Sequence, residues 1–291
     1  MKIATWNVNS IRTRLEQVIA WLSQNPVDVL CLQETKVIDA DFPRSPFEEL
    51  GYQLYISGQK AYNGVALISR QPLSDVTTGF TAILPNLEPE WDTQKRVITG
   101  VIDGIRIVNL YVPNGSAVGS EKYEYKLGWL KVLQEYLQLL LKSQASICVC
   151  GDFNIALEAK DIHDQVKTDN HIMASAAERQ ALRDILSLGF ADAFRKFTTV
   201  GGHYSWWDYR TAAFRRNLGW RIDHHYLTPG LYERATSCII DVEPRKLTQP
   251  SDHTPVIVEV EIWDQAINCL LKADRGFDTL RSKDTEILQT E

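Results

Sequence analysis

Ile147-Cys148-Val149-Cys150-Gly151-Asp152-Phe153-Asn154 is a short apolar run that stops on a glycine and then delivers a carboxylate and a carboxamide. Such a short apolar run ending in polar residues reads as a strand. The pattern recurs in both directions along the chain. Lys2–Asn7, Val27–Gln33, Gly64–Ser69, Arg96–Ile102 and Ile105–Tyr111 precede it; Ile222–Thr228 and Pro255–Ile262 follow. Three stretches carry helical spacing instead: Ile11–Gln24, Glu121–Ser143 and Ser175–Leu188. Ser175 followed by Glu178 opens the last as a capping box. In the middle one, Leu127, Leu130, Leu133, Leu137, Leu140 and Leu141 form a stripe suited to burial against a sheet. Many strands with few helices exclude a regular βαβ alternation. Mixed or antiparallel sheets with helices outside are predicted.

The 291 residues are 44% apolar and 23% charged, which excludes a disordered chain. No repeat and no Pro/Gly/Ser-rich linker divides them. One domain is expected over residues 1–262, with residues 263–291 as a peripheral helix and loose tail. No apolar run approaches the roughly 18 residues of a membrane span. Five cysteines, three of them in apolar runs, suggest reduced core thiols and a cytoplasmic home. Cys148 and Cys150 are separated by one residue, so they are not a CxxC zinc pair. The net charge of −6 does not suggest a nucleic-acid partner by itself, although residues 209–222 hold four arginines and no acid.

The ends of the predicted strands carry the chemistry. They deliver Asn7, then Gln33 and Glu34, then Tyr111 and Asn114, then Asp152 and Asn154. Asp223 stands at the start of another strand, and Ser251-Asp252-His253 precedes the last. Each alone is a common turn former or cap. Together, acids and carboxamides with a single imidazole suit a hard divalent ion, Mg²⁺ or Mn²⁺, and not zinc. A metal, a base near water and a neutralising imidazole are what phosphodiester hydrolysis requires.

At this point the motifs are specific. Leu32-Gln33-Glu34-Thr35-Lys36, Tyr111-Val112-Pro113-Asn114, Gly151-Asp152-Phe153-Asn154, Gly219-Trp220-Arg221-Ile222-Asp223 and Ser251-Asp252-His253 occur in this order. Over about residues 1–262 the chain resembles the exonuclease III family of apurinic/apyrimidinic (AP) endonucleases, within the endonuclease/exonuclease/phosphatase superfamily. The resemblance implies a four-layer α/β sandwich: two packed mixed β-sheets flanked by helices, with the active site at one edge. It implies a metal neighbourhood of Asn7, Glu34, Asp152, Asn154, Asp252 and His253, with Glu34 the principal ligand. Asp152 would be base or water-orienting group. Asn154 would hold that water or the phosphate. Tyr111 and Asn114 would contact phosphate oxygens, and Asp223 would orient His253 towards the scissile phosphate. Val27, Ala193, His225 and Tyr226 depart from the family pattern without removing a catalytic group.

Tyr204-Ser205-Trp206-Trp207, followed by arginines up to Trp220-Arg221, interleaves aromatics with positive charge as DNA contact needs. Trp207 is expected in the core. Trp206, Trp220 and Ile222 are expected to line a pocket for an extrahelical abasic sugar, with Arg210 on the DNA. The implied enzyme is a Mg²⁺-dependent class II AP endonuclease, with Mn²⁺ as substitute. It would act as a monomer on double-stranded DNA with abasic sites or 3′ blocks, and also as a 3′→5′ exonuclease and 3′-phosphatase. Two alternatives stay open here: a phosphoesterase for RNA or a small substrate, and a non-catalytic DNA-binding module.

Overall fold

A computed structural model describes residues 1–163 and 170–262. The chain opens with β1 (Lys2–Asn7), α1 (Ile11–Gln24), β2 (Val29–Gln33), α2 (Ser45–Glu49), β3 (Gln53–Ser57), β4 (Val65–Ser69) and β5 (Ser74–Thr78). It continues through β6 (Val97–Ile102), β7 (Ile105–Tyr111), α3 (Glu121–Ser143), β8 (Ile147–Asp152), α4 (Ala176–Leu186), β9 (Ala191–Asp192) and α5 (Ala193–Phe197). It closes with β10 (Asp223–Leu227), α6 (Pro229–Glu233), β11 (Ala235–Ile240) and β12 (Val256–Val260). The residues Met1–Val260 gather into one compact unit. The expected tail, with Cys269, lies outside the described residues.

Two six-stranded sheets result, ordered β11-β12-β1-β2-β4-β3 and β5-β6-β7-β8-β10-β9. Each holds one parallel pair, β1 with β2 and β7 with β8. A parallel pair needs a long crossover, and α1 and α3 supply the two. Strand alternation then sorts the side chains into three apolar layers. Ile3, Val29 and Cys31 meet Ile107, Cys148, Cys150 and Leu227 between the sheets. Ala4, Trp6, Leu30 and Leu32 turn outward onto α1. Val108, Val149 and Phe153 turn outward onto the stripe of α3 and onto Leu182 and Ile185 of α4. The architecture is the four-layer α/β sandwich, and both strand faces are buried where the sequence runs continuously apolar.

The strands missing from the sequence reading are β3, β5, β9 and β11. β3, β5, β9 and β11 are the four sheet edges. An edge strand is half solvated and carries polar residues, as Ser74-Asp75-Val76-Thr77-Thr78 does, so it shows no apolar run. Among the described residues no helix is long and apolar enough to cross a membrane.

Topology brings the polar residues to one edge. β1, β2, β7 and β8 end there. β10 runs antiparallel to β8 with Asp223 opposite Asp152, so its start lies at the same edge. β12 runs antiparallel to β1 with Val256 opposite Thr5, which puts the preceding loop 251–254 there too. Just inside this edge, Gln33 Nε2 donates to Thr5 Oγ1 (2.8 Å) and across the sheets to Asn109 Oδ1 (2.6 Å). Asn109 Nδ2 returns bonds to the carbonyls of Leu32 and Ala66. A buried network of this kind, bonded from one sheet to the other, fixes how the two sheets align.

Candidate active site

Local backbone geometry aims the acids. Glu34 follows β2 in the left-handed region (φ 51°), held by Thr35 and Lys36 N–H bonds to the carbonyls of Gly64 and Asn63. Gly151 has φ 138°, and any Cβ there would collide with the Leu110 carbonyl. Only glycine lets β8 approach β7 this closely immediately before Asp152. Asn154 N–H then folds back onto Asp152 Oδ1 (2.9 Å).

The acids sit in a shared hydrogen-bond network. Asn7 Nδ2 donates to Glu34 Oε1 (2.8 Å) and Asp152 Oδ2 (2.9 Å). Lys36 Nζ pairs with Glu34 Oε2 at 2.8 Å. His253 Nδ1 donates to Asp223 Oδ2 at 2.9 Å, leaving Nε2 at 3.7 Å from Asp152 Oδ2. Burial disfavours a charged ring, but Asp223 and Asp152 outweigh it and raise the His253 pKa. Burial raises Asp152 above the usual carboxylate range, and Asp223 and Glu34 add to the rise against the pull of His253. Burial beside Glu34 holds the Tyr111 phenol protonated, with the Arg96 guanidinium 4.5 Å over its ring. The phenol is therefore a proton donor at neutral pH. Asn114 Nδ2 donates to Asn154 Oδ1 at 3.0 Å.

The donor set fits a hard divalent cation. Ligand atoms of Glu34, Asp152 and His253 lie within 4.8 Å of one another. Four carboxylates stand at this edge (Glu34, Asp152, Asp223 and Asp252), whereas the cations in direct contact with them are Lys36 and His253. The remaining negative charge is what a cation would neutralise. Three expected ligands are placed otherwise. Asn7 turns its NH₂ to the acids and gives its oxygen to the Asn9 N–H, so here it bridges two carboxylates. Asn154 likewise spends its carboxamide on Asn114, Val112 and Asp152. Asp252 lies outside the three-residue group and accepts from Asn9 Nδ2 and Trp206 Nε1, each at 3.0 Å.

Beside the acids lies a cavity of about 440 Å³ bounded by Asn114, His171, Met173, Trp206, Arg210 and Trp220. Trp206 and Trp220 exchange backbone hydrogen bonds and meet edge to face, 6.5 Å apart. Arg210 is exposed and paired with Asp208 at 2.7 Å. Trp207 is core, as expected. Ile222 does not line the cavity: it is fully buried, packed under Trp220 with Ile162 and Met173. Arg221 is no DNA contact either. Its side chain is 1% exposed and paired with Asp161 and Asp192, each at 2.7 Å.

One supporting pair escaped the sequence reading. Lys126 on α3 is fully buried, and its ammonium donates to the carbonyls of Asn114 and Asn154 and to Glu178 Oε1 (2.5 Å). It ties both carboxamide loops to the N-terminus of α4. Glu178 was legible as a cap, but its partner was hidden in a leucine-rich stripe.

A sandwich edge with a carboxylate–imidazole pair facing a second carboxylate pair defines a metal-dependent phosphoesterase. The chain belongs to the endonuclease/exonuclease/phosphatase family, whose sequence profile matches residues 4–253. It is 32% identical over 265 residues to an exodeoxyribonuclease of Bacillus subtilis (strain 168), covering 90% of this chain and 100% of that protein. Among solved structures it resembles an AP endonuclease from Archaeoglobus fulgidus (TM-score 0.84, 43% identity, 90% of this chain and 99% of that one). It also resembles a 3′ phosphatase from Neisseria bound to a product DNA hairpin (TM-score 0.85, 41% identity, 90% and 100%).

Proposed function

We propose that this chain is a Mg²⁺-dependent DNA-repair phosphodiesterase that incises duplex DNA 5′ to abasic sites and leaves a 3′-hydroxyl. The observation that carries the reading is the Asp223–His253–Asp152 line facing Glu34, beside an indole-walled cavity. In this reading Asp223 keeps His253 protonated, so its Nε2 face offers positive charge to the scissile phosphate. Asp152, oriented by N–H groups of Asn7 and Asn154, accepts a proton from the attacking water. Tyr111 and Asn114 donate to phosphate oxygens. Glu34, with Asp152 and His253 as the other members of the group, would hold Mg²⁺, which supplies Lewis-acid stabilisation of charge on the phosphate and leaving oxygens. Trp206 and Trp220 offer flat apolar contact to a base-less sugar, and Arg210 reaches backbone phosphate.

The catalytic domain in this reading is residues 1–262, acting as a monomer. Buried free thiols at Cys31, Cys148, Cys150 and Cys238 support a reducing, cytoplasmic home. The same site would serve 3′→5′ exonuclease and 3′-phosphatase reactions. One feature favours 3′ ends: the His171 ring lies 5.0 Å from Trp220 inside the cavity, using space an extruded sugar would need. Two duplexes test both readings, one with an internal tetrahydrofuran abasic analogue and one with a 3′-phosphate, each with Mg²⁺ or EDTA. Incision 5′ to the analogue, abolished by EDTA, is expected. Phosphate release without incision would overturn the abasic-site reading and leave the 3′-end reading. No metal-dependent cleavage of either would overturn both.

A further inference from the structure

A second cluster of metal-ligating side chains lies between the sheets, away from the acids. Cys148, Cys150 and His225 are fully buried, and their ligand atoms lie within 4.8 Å of one another. Strand geometry explains the convergence. Residues i and i+2 of β8 share a face, so the single-residue spacing that rules out a CxxC turn aligns both thiols. His225 of β10 pairs directly opposite Cys150, which puts its ring on that same face. Cys31, from the facing sheet, borders the Cys150 thiol.

Buried cysteines are often apolar filler, but a buried histidine is not. His225 has no charged partner. Its Nε2–H donates to the Val256 carbonyl at 3.0 Å, so Nδ1 carries the lone pair, and that atom faces the Cys148 sulfur at 3.7 Å. Nδ1 accepts from the Cys148 S–H, a bond that metal entry would replace; a ring N–H fixed on a carbonyl with the other nitrogen turned to soft donors is how metal-binding histidines are held. We infer that Cys148, Cys150 and His225 form a buried three-donor site for a thiophilic divalent cation of the Zn²⁺ type, bordered by the Cys31 thiol. Two thiolates and a neutral imidazole neutralise a divalent charge, which a core position requires and a monovalent ion would not achieve. Entry of the cation breaks two S–H bonds, forms two metal–sulfur bonds and releases two protons to solvent. Donor softness separates this site from the oxygen-rich edge, which would take Mg²⁺. The bound ion would clamp β8 to β10 two residues from Asp152 and Asp223.

The test uses the full chain, reduced and saturated with Mg²⁺. Addition of Cd²⁺ should give one equivalent bound, with ultraviolet thiolate-to-metal charge-transfer absorption. Cys148→Ala should weaken that binding at least roughly tenfold. Cys238→Ala, which removes a buried thiol outside the group, should keep it. X-ray absorption of the Zn²⁺-loaded wild type should show sulfur neighbours at about 2.3 Å. This last measurement decides the matter if Cys148→Ala does not fold. A zinc shell of oxygen and nitrogen alone, or a Cd²⁺ absorption unchanged in folded Cys148→Ala, would overturn the site.

Discussion

Arg221 and Asp223 are two residues apart, both buried, and they belong to opposite kinds of charge cluster. Around Arg221 the charges balance. Its guanidinium pairs with Asp161 and Asp192 and donates from NH1 to His224 Nδ1 (3.1 Å), and Arg195 adds a second cation to Asp161. Burial works against the charge of Asp161, but Arg221 outweighs it and holds the carboxyl at about 2. Around Asp223 the charges do not balance: acids outnumber cations, and Asp152 rises above the carboxylate range. A balanced cluster is finished when the chain folds and can only serve alignment. An unbalanced one is finished by something from outside, in the proposed function a cation and a phosphate.

The largest effect that distinguishes the two is catalytic. Asp152→Asn should lower kcat by about 10²- to 10⁴-fold with little change in KM, because in the proposed function the lost group acts in proton transfer. Its melting temperature should stay level or rise, since a carboxylate held among acids is removed. A large fall in melting temperature would place Asp152 in the balanced class. The mirror experiment is Arg221→Met. It strands Asp161 and Asp192 in the interior and should cost about 3–5 kcal/mol in chemical denaturation. The folded fraction should keep its kcat, and a loss there would join the two clusters into one.

Acid sharpens the contrast further. His224 donates its Nε2–H to the Ile155 carbonyl and accepts from Arg221 at Nδ1, so it is buried neutral. Burial, with Arg221 next, lowers its pKa from 6.5 to about 4. Between those values the unfolded chain binds the proton and the folded chain does not. Stability should therefore be complete above pH 6.5 and fall as the pH drops towards 4, by up to roughly 3 kcal/mol. His224→Gln should flatten that slope in urea melts at several pH values; an unchanged slope would assign it to another group. The smallest effect belongs to the cavity wall. Trp206 is half-buried, and Trp206→Ala should reduce cleavage at an abasic analogue by roughly 10- to 100-fold with a small change in melting temperature. Trp220→Ala should also lower stability, because that indole packs on Ile162, Met173 and Ile222. Equal cleavage by wild type and Trp206→Ala would remove the wall from substrate recognition.

These clusters also show what a sequence makes visible. Interior strands were legible because burial on both faces leaves an unbroken apolar run, as in Ile147–Cys150. Edge strands such as β5 and β11 were not, since solvent on one side permits any polar residue. Glu34, Tyr111, Asp152, Asp223 and His253 stood out because strand ends concentrate polar residues at one rim. Arg221 and Ile222 were misread for the converse reason. They share a short segment with surface arginines and with Asp223, and only the three-dimensional partners show which way each points: Asp161 and Asp192 for Arg221, and Ile162, Met173 and Trp220 for Ile222. Lys126 was hidden because its partners, two backbone carbonyls and Glu178, come from distant segments, which no spacing reveals. Asn7 is expected in the metal neighbourhood, but the sequence does not say which end of its carboxamide faces the acids; the structure turns its NH₂ to them and its oxygen to the Asn9 N–H.

The pairing of β1 with β12 has a consequence for biosynthesis. The Met1 ammonium donates to the Val260 carbonyl across a sequence separation of 259, and Lys2 lies opposite Glu259 in the ladder. Contacts this distant close late, because the intervening loop must lose its entropy before they form. During translation the first strand waits, one edge unpaired, until almost the whole described chain has left the ribosome. His253 is delivered in the same final segment. An unfinished nascent chain should therefore carry no nuclease activity, and β1 is the strand that a chaperone would have to shield.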